Sequence, residues 1–125
     1  MAAGIYNFTL EQGTTFIRIF NYKDSNGNPI NLDEATELRM QIRESVGSES
    51  PVVGGSFGLN SGFTVSTPAG GSVQSQFTLI IPAATSSAFT FDKAVYDIEL
   101  LDNGVTTRLI QGKIKLSKEI TQGAY

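Results

Sequence analysis

The chain has no cysteine, no histidine and no tryptophan among its 125 residues. Without cysteine there is neither a disulfide framework nor a thiolate metal site. Without histidine the commonest general base, the base of a serine triad and the usual zinc ligand are all missing. Charge is sparse as well: 17% of residues are charged and the net charge is −3. No basic patch is expected that could pair with phosphate, so nucleic acid is not expected as a partner. No apolar run approaches the roughly 20 residues that span a bilayer, so no membrane partner is expected either. The opening MAAGIYNFTL lacks a basic region and a sustained apolar stretch, and no signal peptide is expected. The sequon at Asn7, Phe8 and Thr9 is then read as incidental.

What is present fits one folded domain. Hydrophobic residues make up 40% of the chain and glycines number 13. A chain of this length buries about two-thirds of its unfolded surface and needs no covalent staple. Residues 1–125 are read as a single domain with tails at 1–4 and 118–125 and a loop-rich insertion at 46–76.

Alternation with a period of two recurs. In IYNFTL, Tyr6, Phe8 and Leu10 share a face. In TTFIRIFNY, Phe16 and Phe20 lie opposite Ile17 and Ile19, which reads as a central strand covered on both sides, with Arg18 left to reach an edge or a partner. In TELRMQIRE, Leu38, Met40 and Ile42 alternate with Glu37, Arg39, Gln41 and Arg43, as in a strand with one solvated face. Residues 46–76 read as long loops around short strands near Val52–Val53 and Phe63–Val65. QFTLIIP is a further strand ended by Pro82, and AATSSAF is one helical turn crossing between sheets. KAVYDIELLD places Ala94, Tyr96, Ile98 and Leu100 inward. Asp102, Asn103 and Gly104 predict a type I′ hairpin, because Asn-Gly supplies the positive φ angles. The return strand VTTRLIQGKIKLS carries Gly112 between Ile110 and Ile114, a mark of a bulge or of close packing by a neighbour. About seven strands with turn signals at intervals of roughly 8–12 residues predict an all-β, antiparallel sandwich or barrel.

The chemistry is thin. Asp24, Asn26 and Asn28 match the first alternate oxygen ligands of a calcium loop, but Pro29 stands where glycine must bend the chain and Ala35 where a bidentate glutamate is needed. A polar turn is the better reading. Asp97 and Glu99 share a strand face, and a solvated face paired across strands with Arg39 or Arg43 is preferred to an acid–base pair. The glycine run GGSFGLNSG lacks the lysine and the following helix of a phosphate loop. No catalytic residue, cofactor or metal ligand is assigned. Most aromatics fall on inward faces. Phe57, Phe63 and Tyr125 lie in loop or tail contexts and, with Ile5 and Tyr6, are the candidate interface residues. Tyr96 is read as a packing device like a tyrosine corner.

Three segments carry a resemblance: YNFTLEQGTTFIRIFNYKDSNGNPINL, LRMQIRES, and YDIELLDNGVTTRLIQGKIKLSKEIT. Their ordered set, over residues 5–45 and 77–121, resembles a group of small tailed-phage virion proteins. It is also similar to the N-terminal, immunoglobulin-like domain of phage baseplate upper proteins. Residues 46–76 fall outside it. The resemblance implies an immunoglobulin-like sandwich and a non-enzymatic building block of a virion, assembled in the host cytoplasm. Its expected place is the tail, baseplate or neck, with capsid decoration as the alternative. The partners implied are other virion proteins, in a homo-oligomer or symmetric assembly. A carbohydrate- or receptor-binding module is a further alternative, weakened by the absence of tryptophan. The tails and the 46–76 loops are the expected docking elements, by strand addition where the termini reach a neighbour.

Overall fold

A computed structural model describes residues 4–33 and 35–120 of the chain. Among the described residues there are nine strands and one short helix. In chain order these are β1 (Gly4–Ile5), β2 (Phe8–Glu11), β3 (Phe16–Asn21), β4 (Glu37–Arg43), β5 (Ser56–Leu59), β6 (Gly62–Ser66), β7 (Gln76–Ile81), α1 (Ala83–Ser87), β8 (Lys93–Asp102) and β9 (Val105–Ser117). The all-β expectation is met. The strands follow one path, β1-β9-β8-β4-β5-β6-β7-β3, with β2 also on β9. The pairing is mixed: β1 and β2 run parallel to β9, and β5 runs parallel to β6. A purely antiparallel arrangement is therefore corrected. Alternation reports which face a residue takes, not the direction of the neighbouring strand.

The path curls until its ends meet. The Phe8 and Phe16 rings stack at 4.7 Å between centroids, and Tyr6 meets Phe20 edge-on at 5.9 Å, which joins the first strands to β3. The aromatic seam continues through Phe20, Phe77 and Phe63 on one side and from Phe8 to Tyr96 on the other. Aliphatic side chains complete the core, with Leu10, Leu38, Met40, Ile42, Leu79 and Ile98 at 1% exposure or less. These are the inward positions that the alternation of β2, β4, β7 and β8 predicts.

Several local expectations hold. Asn103 and Gly104 both adopt positive φ, as the hairpin between β8 and β9 requires. Helix α1 forms just after Pro82 and leads from β7 to β8. Its buried Ser86 hydroxyl accepts from the Gly13 amide at 3.0 Å and donates to the Thr14 carbonyl at 2.8 Å. Gln12 extends the same clamp, donating to the Phe89 carbonyl and accepting from the Glu119 amide. The Gln12–Gly13 interruption is thus where the β2–β3 turn is tied to α1 and to the chain beyond β9.

Other expectations are corrected. The first predicted strand is broken at Tyr6–Asn7, although its register against β9 is the same on both sides of the break; there the Lys113 amide donates to the Asn7 side-chain oxygen instead of to a backbone carbonyl. The strand expected at Val52–Val53 is instead a turn, in which Val52 donates to the Ile42 carbonyl and Gly55 to the Val52 carbonyl. The strand itself begins at Ser56, and β6 covers the one expected at Phe63–Val65. Finally, β3 is not central: among the described residues it ends the path and pairs with β7 alone.

Candidate functional site

The Asp24–Asn28 stretch is a self-capped turn. One carboxylate oxygen of Asp24 accepts from the amides of both Asn26 and Asn28 at 2.9 Å. Gly27 turns with φ of 83°, and Lys23 bridges to Pro29 across the base. The same oxygens that suggest a cation ligand in sequence here satisfy backbone donors, which is the ordinary use of aspartate in a turn. Among the described residues no group of three or more acidic side chains is arranged to hold a metal ion.

The interface candidates separate. Phe57 is 9% exposed and Phe63 fully buried, so both leave the list. Sequence context placed them among glycines in a loop, but β5 and β6 carry them into the sheet, where Phe63 meets Phe77. Tyr6 is half-buried; its ring lies between Phe8 and Phe20, and the Arg18 guanidinium sits 4.8 Å above it. That contact answers where Arg18 goes: onto an aromatic face, an arrangement worth roughly 0.5–1 kcal/mol at an exposed site. Ile5 is 74% exposed, although β1 already pairs with β9 of its own sheet. Tyr125 lies outside the described residues.

One row of exposed aliphatic side chains lies where the alternation predicts a covered strand. Ile17 and Ile19 are 61% and 51% exposed on the outer face of β3, and Ile80 stands directly opposite Ile17 on β7. On its other side β3 has no backbone partner among the described residues, so an unpaired hydrogen-bonding edge borders an aliphatic row. Edge strands of soluble domains usually carry charge, proline or a bulge at such positions. Phe-x-x-x-Phe with isoleucines between is the same pattern for a buried strand and for one that awaits a partner, which is why alternation alone misses this surface.

The opposite sheet face is charged. Arg39 and Glu99 are directly opposite on β4 and β8 and pair at 3.1 Å, one of the cross-strand pairings that the sequence left open. Asp97 pairs instead with Arg108 of β9 at 3.3 Å. The register admits this because Leu109 is an extra residue: Ile98 faces Ile110 while Glu99 faces Arg108. Burial raises the Asp97 pKa, and the neighbouring Glu99 carboxylate adds to the rise, while Arg108, Arg39 and Arg43 oppose it. A raised carboxylate pKa means that the ionised form is disfavoured in the folded state. The native neutral-form advantage is present below the unfolded pKa and is lost as pH rises through the folded one. Asp97→Asn is therefore expected to hold or raise the urea midpoint at pH 7, with the difference vanishing in acid. A lower midpoint at pH 7 would show that the Arg108 pair outweighs the burial cost.

Among the described residues every buried side-chain nitrogen and oxygen has a hydrogen-bond partner. No described helix is long and apolar enough to cross a membrane. In comparisons with known proteins, no family model and no curated protein matches the chain.

Proposed function

We propose that this chain is a non-enzymatic structural subunit of a tailed-phage virion, in the tail, baseplate or neck, which binds other virion proteins within a symmetric assembly. The observation that carries the reading is the aliphatic row Ile17, Ile19 and Ile80 beside the edge of β3 that has no backbone partner among the described residues. Such a surface is a liability for an isolated domain and an asset for one that is covered on assembly. The resemblance of residues 5–45 and 77–121 to small virion proteins supports the same reading. The finer architecture is taken as a variant immunoglobulin-like sandwich, with β4, β8 and β9 in one layer and β3, β6 and β7 in the other. The aromatic seam packs between them, and the Tyr96 hydroxyl bonds back to the Tyr6 carbonyl much as a tyrosine corner does.

The test is mass spectrometry of purified particles, with tails and capsids fractionated. Multiple copies in the tail fraction are expected. Recovery on expanded capsids alone would make this a decoration protein, and absence from particles would overturn the virion assignment. The pair Ile17→Lys and Ile19→Lys is expected to keep the β-type circular dichroism spectrum and to abolish incorporation. Normal incorporation of that variant would move the docking surface elsewhere.

A further inference from the structure

We propose that the outer face of β4, β8 and β9 is a second docking surface, one that takes an acidic polypeptide segment. The chain is acidic overall, at −3, with nine basic and twelve acidic residues. Strand register nevertheless collects Arg39, Arg43, Lys93, Arg108, Lys113 and Lys115 on one sheet face. Glu37, Asp97 and Glu99 lie among them, and Glu44 borders them. The rest of the chain then has three basic and eight acidic residues, a balance of −5. No run in the sequence shows this, because the six cations come from three strands.

Two of the six are neutralised, Arg39 by Glu99 and Arg108 by Asp97. The other four, Arg43, Lys93, Lys113 and Lys115, make no salt bridge among the described residues. They occupy two adjacent rows of the sheet: Arg43, Val95 and Lys113 in one, Lys93 and Lys115 in the next. Neighbouring strands lie about 4.8 Å apart, so like charges are crowded here, and among the described residues no carboxylate comes within salt-bridge distance of them. Arg43 is also held in place. Its guanidinium donates to the Ser48 carbonyl at 2.7 Å and to the Gln41 side chain at 2.8 Å, which directs the charge without cancelling it.

The relief of this face suits a chain segment. Two shallow grooves, of about 500 and 540 Å³, share Val95 and Lys113 in their linings. Among the described residues, Asp97 and Glu44 are the carboxylates that line them. Ile5 and Val46, at 74% and 90% exposure, add aliphatic contact to the first. Carboxylates with aliphatic neighbours match that combination. A nucleic acid matches it less well: its phosphates would find four cations that make no salt bridge among the described residues and then meet a remainder of the chain at −5. The occupant inferred is thus an acidic segment with aliphatic residues between its carboxylates, and the inference does not depend on the virion reading.

The test uses the purified chain and a fluorescein-labelled decapeptide alternating glutamate and valine, with a labelled thymidine 20-mer in parallel, read by fluorescence anisotropy. The peptide is expected to bind, and to weaken roughly tenfold between about 50 and 200 mM salt. The double variant Lys113→Glu with Lys115→Glu is expected to lose at least about tenfold in affinity, since it replaces attraction by like-charge opposition. Lys113→Gln with Lys115→Gln is expected to fall between, and guards against a folding defect in the charge reversal. Ile17→Lys, on the opposite face, is expected to leave peptide binding unchanged. Failure of the peptide to bind, or equal affinity in both double variants and the parent, would overturn the proposal. So would tighter binding of the oligonucleotide, which would make the face a nucleic-acid surface. A salt-sensitive dimer in sedimentation, abolished by the lysine variants, would identify a second copy as the occupant and overturn the assignment to an acidic segment.

Discussion

Gly112→Val is expected to abolish cooperative folding, and Gly112→Ala to cost about 2–4 kcal/mol, near the upper end of single-substitution effects. The strain arises from a backbone neighbour. A Cβ at position 112 would overlap the carbonyl oxygen of Tyr6, at the point where the chain passes from β1 to β2 along β9. That oxygen is the acceptor of the Tyr96 hydroxyl at 2.5 Å, and the next residue, Asn7, accepts from the Lys113 amide at 2.9 Å. A side chain at 112 must push Tyr6 outward and break the contacts that close the curled sheet. Since a domain of this size has only about 5–15 kcal/mol of net stability, valine is beyond what it can absorb. Thermal melts and urea titrations of the two variants check this. A Gly112→Ala midpoint within a degree or two of the parent would show that the Tyr6 carbonyl moves aside freely.

The same contact sets a pH dependence. Burial raises the Tyr96 phenol pKa well above its ordinary value, Tyr6 adds to the rise, and Arg18 opposes it. The folded protein therefore holds the neutral phenol, while the unfolded chain ionises near about pH 10. The stability contributed is fully present below about pH 10 and declines as pH rises further, as the unfolded state releases a proton that the folded state keeps. Tyr96→Phe is expected to cost about 1–2 kcal/mol at pH 7, because the Tyr6 carbonyl loses its partner, and to flatten the alkaline decline. An alkaline decline of unchanged slope would assign it to other groups.

The second large effect is expected at Phe63. Phe63→Ala should destabilise by about 3–5 kcal/mol, the cost of emptying a buried aromatic site. Phe63 is fully buried, meets Phe77 edge-on at a centroid distance of 6.0 Å, and has no exposed face to offer a partner. Ile5→Ala, on an exposed position, is expected to change stability by no more than about 0.5 kcal/mol. The two variants together separate a core residue from a surface one in the segments where sequence context treats them alike. A Phe63→Ala melt close to that of the parent would mean that β6 does not pack in solution as described.

The residues by themselves determined the all-β class, the inward faces of β4, β7 and β8, the Asn103–Gly104 hairpin and the turn at Asp24. All of these are local: two-residue periodicity, turn chemistry and short-range hydrogen bonding act within a few positions of the chain. Three matters were decided by the tertiary structure alone. Phe57 and Phe63 became core because the strands that carry them joined the sheet path. Ile17 and Ile19 became surface because β3 fell at the end of that path, and the pattern of an edge strand equals that of a central one until its neighbours are known. Six cations spread from Arg39 to Lys115 became one charged face because β4, β8 and β9 align them. Each outcome depends on which strands lie side by side, and long-range pairing leaves almost no trace in a single sequence.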